Sequence, residues 1–191
     1  KMYFEWKPTC EAWTTDHRFN LTYEYADTPA MRISSDFSTF EPFDGKAFDY
    51  TARRERNGEV YDEIRGKAER TADGGGKALY SMPEGLKFDL PVGTLFPMGH
   101  TFELLNHARA GKKFFNATIF DGSDEEGPVE VNAFIGAPVN AMAELKPAAS
   151  MDTTLINSKA WHVRMAFFPL NNSDANSDYE MDILLHDNGI I

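Results

Sequence analysis

From Trp13 to Tyr25 the chain alternates without a break. Trp13, Thr15, His17, Phe19, Leu21, Tyr23 and Tyr25 fall on one side, and Thr14, Asp16, Arg18, Asn20, Thr22 and Glu24 on the other. Period two sustained over thirteen residues requires a long strand with one covered and one wet face, because successive β side chains point to opposite sides of a sheet. Met2, Phe4 and Trp6 show the same period before it. After it come Met31, Ile33 and Phe37 through Ser35, then Phe48, Tyr50 and Ala52, then Val60, Ile64 and Ala68. Asn57-Gly58 between the last two runs predicts a type I′ hairpin, since both positions tolerate positive φ. Further runs are Phe115–Ile119, Val129–Ile135, Trp161–Phe167 and Tyr179–Leu185. Asp44-Gly45, Asp73-Gly74-Gly75-Gly76 and Asp121-Gly122 punctuate them. The prediction is roughly ten to thirteen antiparallel strands, which must close, curl or split into two sheets to protect their edges.

One helix interrupts this pattern, predicted over about residues 97–110. Pro97 suits a first turn and Gly111 supplies the left-handed residue that ends many helices. Lys112 and Lys113 follow where the dipole favours positive charge. Thr101, Phe102, Leu104, Leu105 and Ala108 are expected to share the face that packs on a sheet. Residues 138–158 read as loose, with a short helical piece around Ala141–Leu145.

Charge and length exclude several functions. A formal charge of −11 disfavours nucleic-acid binding, which needs clustered Lys and Arg, and disfavours docking on anionic lipid. No stretch approaches the ~20 apolar residues of a membrane-spanning helix. Cys10 is the sole cysteine, so no internal disulfide and no Cys-X-X-Cys motif can form. At 191 residues the chain suits a single β domain over 1–191, and because Lys1 opens directly on a strand pattern, truncation is expected at the N-terminus.

Three groupings carry conceivable chemistry. His100, Glu103 and His107 lie within one stripe of the helix, where imidazole and carboxylate could hold a transition metal. The plainer reading, adopted here, has His100 organising the helix start and Glu103 pairing with His107 in solvent. The acidic loop Asp121–Gly127 is oxygen-rich but lacks EF-hand spacing, and is read as a solvated hairpin tip. Cys10 with His17 or His162 could form a dyad, yet no elbow, helix N-terminus or G-x-S-x-G accompanies it. No catalytic, cofactor or metal residue is therefore assigned. Aromatic residues are plentiful (15 Phe, 7 Tyr and 3 Trp), and are read as core, with an apolar-ligand cavity as the alternative. Trp6, Trp13 and Phe19 are expected to lie in that core.

The order of several short pieces adds a family resemblance. Tyr3-Phe4-Glu5-Trp6 with Cys10 and Trp13, Arg18-Phe19, and Phe43-Asp44-Gly45 with Phe48 come first. Thr94-Leu95-Phe96-Pro97 with His100-Thr101 and Ala108–Gly111 form the most specific block. Phe120-Asp121-Gly122-Ser123, Ile135-Gly136, Trp161 with Ala166–Pro169, Tyr179-Glu180 and Asn188-Gly189-Ile190 complete it. Together they resemble the EipB-type family of alphaproteobacterial envelope-integrity proteins, long known as a domain of unknown function. The resemblance implies a mainly β fold: an antiparallel β-spiral, like an open, bent β-barrel, around one central helix. It further implies a non-enzymatic periplasmic protein that supports the cell envelope by contacting other envelope proteins, a tetratricopeptide-repeat protein among the partner classes. A carrier for a lipid or lipoprotein acyl chain is the alternative. Structural roles are implied for Trp6, Trp13, Phe96, Pro97, His100, Thr101, Gly111, Asp121, Gly122, Asn188 and Gly189. The family pairs a cysteine at the position of Cys10 with one near its C-terminus. That partner is absent from this chain, and a C-terminus truncated beyond Ile191 is the expected reason.

Overall fold

A computed structural model of the chain describes residues 1–24, 26, 29–145, 147, 152–170 and 176–191. Eleven strands and two helices occur among them: β1 Met2–Pro8, β2 Ala12–Tyr23, β3 Met31–Pro42, β4 Ala47–Arg56, β5 Glu59–Arg70, β6 Gly76–Met82, β7 Lys87–Leu90, α1 Pro97–Arg109, β8 Phe114–Ile119, β9 Val129–Asn140, α2 Ala141–Glu144, β10 Lys159–Pro169 and β11 Tyr179–His186. The fold is mainly β and wholly antiparallel, with one main helix, as the alternation and the single helical segment predict. Tyr25, the last residue of the predicted long strand, lies outside the described residues, as do several positions of the loose 138–158 stretch.

The contacts fall into two compact units: Lys1–Phe96 with Phe120–Gly127, and Pro97–Ile119 with Pro128–Ile191. The first unit holds a seven-stranded sheet in sequence order, β1 to β7, with β1 and β7 at its edges. The second holds a four-stranded sheet ordered β11-β10-β9-β8. Neither sheet closes on itself.

Register explains which face of the large sheet is covered. One cross-strand row runs Phe4, His17, Phe37, Ala52, Ile64. Along it the side chains pass from exposed at Phe4, through half-buried His17 and Phe37, to fully buried Ala52 and Ile64. Asn57 (φ 53°) and Gly58 (φ 84°) make the β4–β5 turn as predicted. Just beyond them the ladder slips, with Glu55 opposite Val60 but Arg54 opposite Asp62. The extra residue, Tyr61, is a bulge that reverses the facing of everything before it. Val60 therefore points away from Ile64 and Ala68 and is exposed, a correction to the run read from the sequence.

The core of this unit is aromatic: Phe48, Tyr50, Tyr80, Phe96 and Phe120 with Ala52, Ile64, Ala68, Ala78 and Leu90. Trp6, Trp13 and Phe19, expected in the core, are half-buried and belong to neither cluster. They sit on the same face as the core but on β1 and β2, beyond the buried rows. Trp6 and Trp13 pack on each other at 5.2 Å between centroids, and Trp13 meets Phe43 edge-on at 5.5 Å.

In the second unit α1 buries His100, Leu104, Leu105 and Ala108. These leucines and the alanine cluster with Ile119, Val131, Ala133, Ile135, Trp161, Val163, Met165 and Leu185 of the small sheet. At 100° per residue the buried stripe is centred between Leu104 and Ala108, which puts Phe102 about 140° away, on the far side of the helix. Phe102 is indeed exposed, so its assignment to the packed face is corrected. The helix ends as predicted. Gly111 adopts φ 72°, its N–H donates to Ala108 O and that of Lys112 donates to His107 O, each at 3.0 Å, the paired bonds of a Schellman cap.

Candidate functional site

The residues singled out by sequence fall into three groups, one in the first unit and two in the second. The first is the loop Asp121–Gly127 on the aromatic core. Asp121 Oδ1 accepts from the Ser123 N–H at 2.9 Å and Asp124 Oδ1 from the Glu126 N–H at 2.8 Å, so both carboxylates serve the loop's own backbone. Gly122 (φ 63°) is buried against the Tyr50 ring, and a Cβ there would lie 2.7 Å from Tyr50 Cδ1. The Tyr80 hydroxyl donates to Asp124 O at 2.8 Å. Arg54 pairs with Asp62 and donates to Ser123 O. The loop is thus a lid seated on Tyr50, Tyr80 and Phe120, not the solvated hairpin tip expected from its charge.

Tyr50 is the residue that sequence reading missed. It stacks on Phe48 at 5.6 Å and meets Phe120 and Tyr80 edge-on at 5.4 and 5.2 Å. Its ring lies over Gly66, directly opposite on β5, where an added Cβ would also come within 2.7 Å of Leu79 O. A glycine inside an otherwise alternating strand signals such a close approach, and Gly66 between Ile64 and Ala68 was that signal. Burial pushes both phenols far above their ordinary pKa, so they remain neutral hydroxyls at any physiological pH.

The second place is the helix stripe. His100 and His107 both pack on Phe115, with ring centroids at 5.6 and 4.4 Å. His107 Nδ1 lies 2.9 Å from the Glu103 backbone carbonyl, so the expected side-chain pair between Glu103 and His107 is replaced by a bond to the main chain. The Glu103 side chain is exposed, away from buried His100. Among the described residues no three His, Cys, Asp or Glu side chains are grouped to hold a metal ion. Pro97 opens the helix and Thr101 Oγ1 donates to its carbonyl at 3.0 Å. Phe96, in the other unit, is buried against Phe48 at 5.2 Å.

His100 has a measurable consequence. Its Nε2 is buried without a hydrogen-bond partner, and desolvation lowers its pKa from 6.5 to about 4. The unfolded chain therefore takes up a proton at this residue before the folded one does. Stability is complete above pH 6.5 and falls between there and about pH 4, by on the order of 3 kcal/mol from this group. His100→Leu is expected to keep the neutral-pH stability, because it removes an unsatisfied polar atom. Its urea midpoint should then pull ahead of wild type as the pH drops; parallel midpoints across that window would refute the assignment.

The third place is the turn after β11. Asn188 Nδ2 donates to Leu155 O at 2.7 Å and Asn188 Oδ1 accepts from the Ile190 N–H at 3.2 Å. Gly189 adopts φ 90°. Nearby, Ser158 Oγ and buried His186 Nδ1 lie 3.1 Å apart. Cys10 is an exposed free thiol in the β1–β2 connection. The ring of His17 packs edge-on against Phe4 at 6.0 Å, and His162 faces Glu144 at 3.5 Å. No helix among the described residues is long and apolar enough to cross a membrane.

Known proteins resemble this chain in sequence and in fold. The chain is 30% identical over 187 residues to the cell envelope integrity protein EipB of Brucella abortus, covering 95% of this chain and 64% of that protein. The chain thus spans less than two thirds of this relative's length. A crystal structure of a beta-barrel-like protein of a domain of unknown function, also from Brucella abortus, superposes with a TM-score of 0.87 at 28% identity, over 99% of this chain and 78% of the other. The model of the EipB-like family matches residues 1–191, and the chain belongs to that family.

Proposed function

We propose that this protein supports the integrity of the cell envelope from the periplasm, as a non-enzymatic scaffold that contacts other envelope proteins. The observation that carries this reading is the 30% identity to a protein named for envelope integrity. The packing agrees with it. Both clusters are filled by side chains, Trp161, Tyr50, Phe48, Phe96 and Phe120 being fully buried, and the acidic loop and the helix histidines are engaged structurally. A cleft of about 640 Å3 has a mixed lining, with Asn20, Arg32, Ser34 and Asn57 beside Leu21 and Ile33, and a guanidinium and amides among the apolar groups do not suit an acyl chain. In this reading a tetratricopeptide-repeat protein is one partner class, and the two units serve a single domain.

One observation favours a lipid carrier as the second reading. On the core face of β1 and β2, Met2 is 67% and Phe4 51% exposed, beside half-buried Trp6, Trp13 and Phe19. Uncovered apolar surface of this kind marks an interaction site in soluble proteins. Native mass spectrometry of the protein isolated gently from its envelope separates the two. A co-purifying protein with no small ligand is the expected result. An added mass of several hundred daltons, resolved as lipid, would overturn the scaffold in favour of the carrier.

A further inference from the structure

The outer face of the small sheet is ordered in registered rows. One row across all four strands reads Phe114, Phe134, Arg164, Asp182, and the next reads Asn116, Asn132, Ala166, Glu180. Side chains of such rows stand side by side on one face. Phe114 is 72% and Phe134 51% exposed, and the two rings meet edge-on at 5.3 Å. Two large rings this open on the polar side of a sheet are unusual, and aromatic side chains are enriched where proteins meet. Ala166, the one small residue in the second row, leaves a groove of about 480 Å3 whose walls include Phe134, Asn132, Arg164 and Glu180.

The charges in this groove are unbalanced. Arg164 is already held by Asp182 through two bonds of 2.8 and 2.9 Å. Glu180 is a second carboxylate beside the same guanidinium, and both acids raise its pKa. One cation faces two anions, and Glu130 adds a third in the next row, opposite Thr118. The Asn116 amide donates to Asn132 Oδ1 at 2.9 Å, and the Asn132 amide donates to Glu130 at 3.2 Å, so the amides are partly committed to each other. An acyl chain would leave Glu180 uncompensated. A lysine or arginine side chain fits both halves, with its methylene stem on Phe134 and Ala166 and its charged head at Glu180.

We propose that this groove docks a partner-protein segment that presents a lysine or arginine flanked by apolar residues. The inference rests on the scaffold reading and names the chemistry of its contact. The probe is an extended pentapeptide of alternating valine and lysine, with the glutamate-for-lysine peptide as its counterpart, titrated into the isotope-labelled chain by NMR. The lysine peptide should give saturable amide shifts at Phe134, Ala166 and Glu180. Affinity should fall about tenfold in Glu180→Lys and in Ala166→Leu, and fall again at high salt, as expected for exposed charges. Both substitutions lie on the outer face and should leave the thermal midpoint within a few degrees of wild type, which checks folding. Equal binding of the glutamate peptide, shifts indifferent to both variants, or a Phe114-dependent dimer would each overturn the proposal. Complementation of a strain lacking the protein keeps the two readings apart. If wild type restores envelope resistance and Glu180→Lys does so equally, the groove is excluded and the scaffold reading stands. If wild type itself fails to restore resistance, the scaffold reading fails whatever the peptide does.

Discussion

Replacing Gly122 by alanine is expected to destabilise the protein by about 2–5 kcal/mol, enough to unfold a domain of ordinary stability under mild conditions. Two costs combine. At φ 63° an L side chain enters the left-handed region, which costs roughly 1–2 kcal/mol. The new Cβ would also meet the Tyr50 ring at 2.7 Å from Cδ1, and overpacking of a dense core typically adds about 1–3 kcal/mol. Gly45→Ala isolates the first cost. Gly45 has φ 62° with open space where its Cβ would stand, so only the backbone term of about 1–2 kcal/mol applies there. The measurement is urea unfolding of both variants, alone and with Tyr50→Leu. In the Tyr50→Leu background the extra penalty at Gly122 should shrink, because contacting residues do not behave additively. Equal losses at Gly45 and Gly122 would mean that the loop does not bear on Tyr50.

Phe48→Ala should cost about 3–5 kcal/mol, the range for emptying a buried aromatic site. Phe48 is fully buried, with Tyr50 at 5.6 Å, Phe96 at 5.2 Å and Phe120 at 6.4 Å between ring centroids. Its removal opens a cavity whose walls are other rings, and rings reorient poorly to fill a gap. Trp6→Ala removes a larger side chain but should cost only about 1–2 kcal/mol, since part of the indole is already in water and little enclosed cavity forms. Thermal denaturation of the two variants tests the ranking. A Trp6 variant as damaged as the Phe48 variant would show that the β1–β2 face is covered in the folded protein.

That ranking reverses what the alternation alone suggests, and the reversal shows where local pattern stops being informative. Period two places Trp6, Trp13 and Phe19 on the apolar side of their strands, and they are there. Whether that side is covered depends on how far the core extends across the sheet. Along the row from Phe4 to Ile64 the cover is gained strand by strand, a property of the assembled sheet and not of any one strand. Val60 failed for a different reason. A one-residue bulge at Tyr61 reverses facing, and hydrophobic character cannot locate a bulge where two neighbouring residues, Val60 and Tyr61, are both apolar.

The acidic loop gave the most misleading composition. Asp121, Asp124, Glu125 and Glu126 suggest solvent, yet Gly122 and Gly127 are the residues that place the loop, each buried against a ring, Tyr50 and Phe88 respectively. The charged side chains point outward or cap their own backbone while the glycines make the approach.

The sequence by itself determined the class of fold, the Asn57-Gly58 hairpin, the single main helix with its Gly111 cap, and the family, because each follows from short-range rules of period, turn conformation and ordered motif. Only the tertiary structure decided that Tyr50 is clasped by Gly66 and Gly122, that His100 is buried beside Phe115, and that Phe114, Phe134 and Glu180 share one outer face. Those outcomes depend on register between strands far apart in the chain. Register is set by the joint burial of whole faces, a sum over many weak contacts that no local window contains.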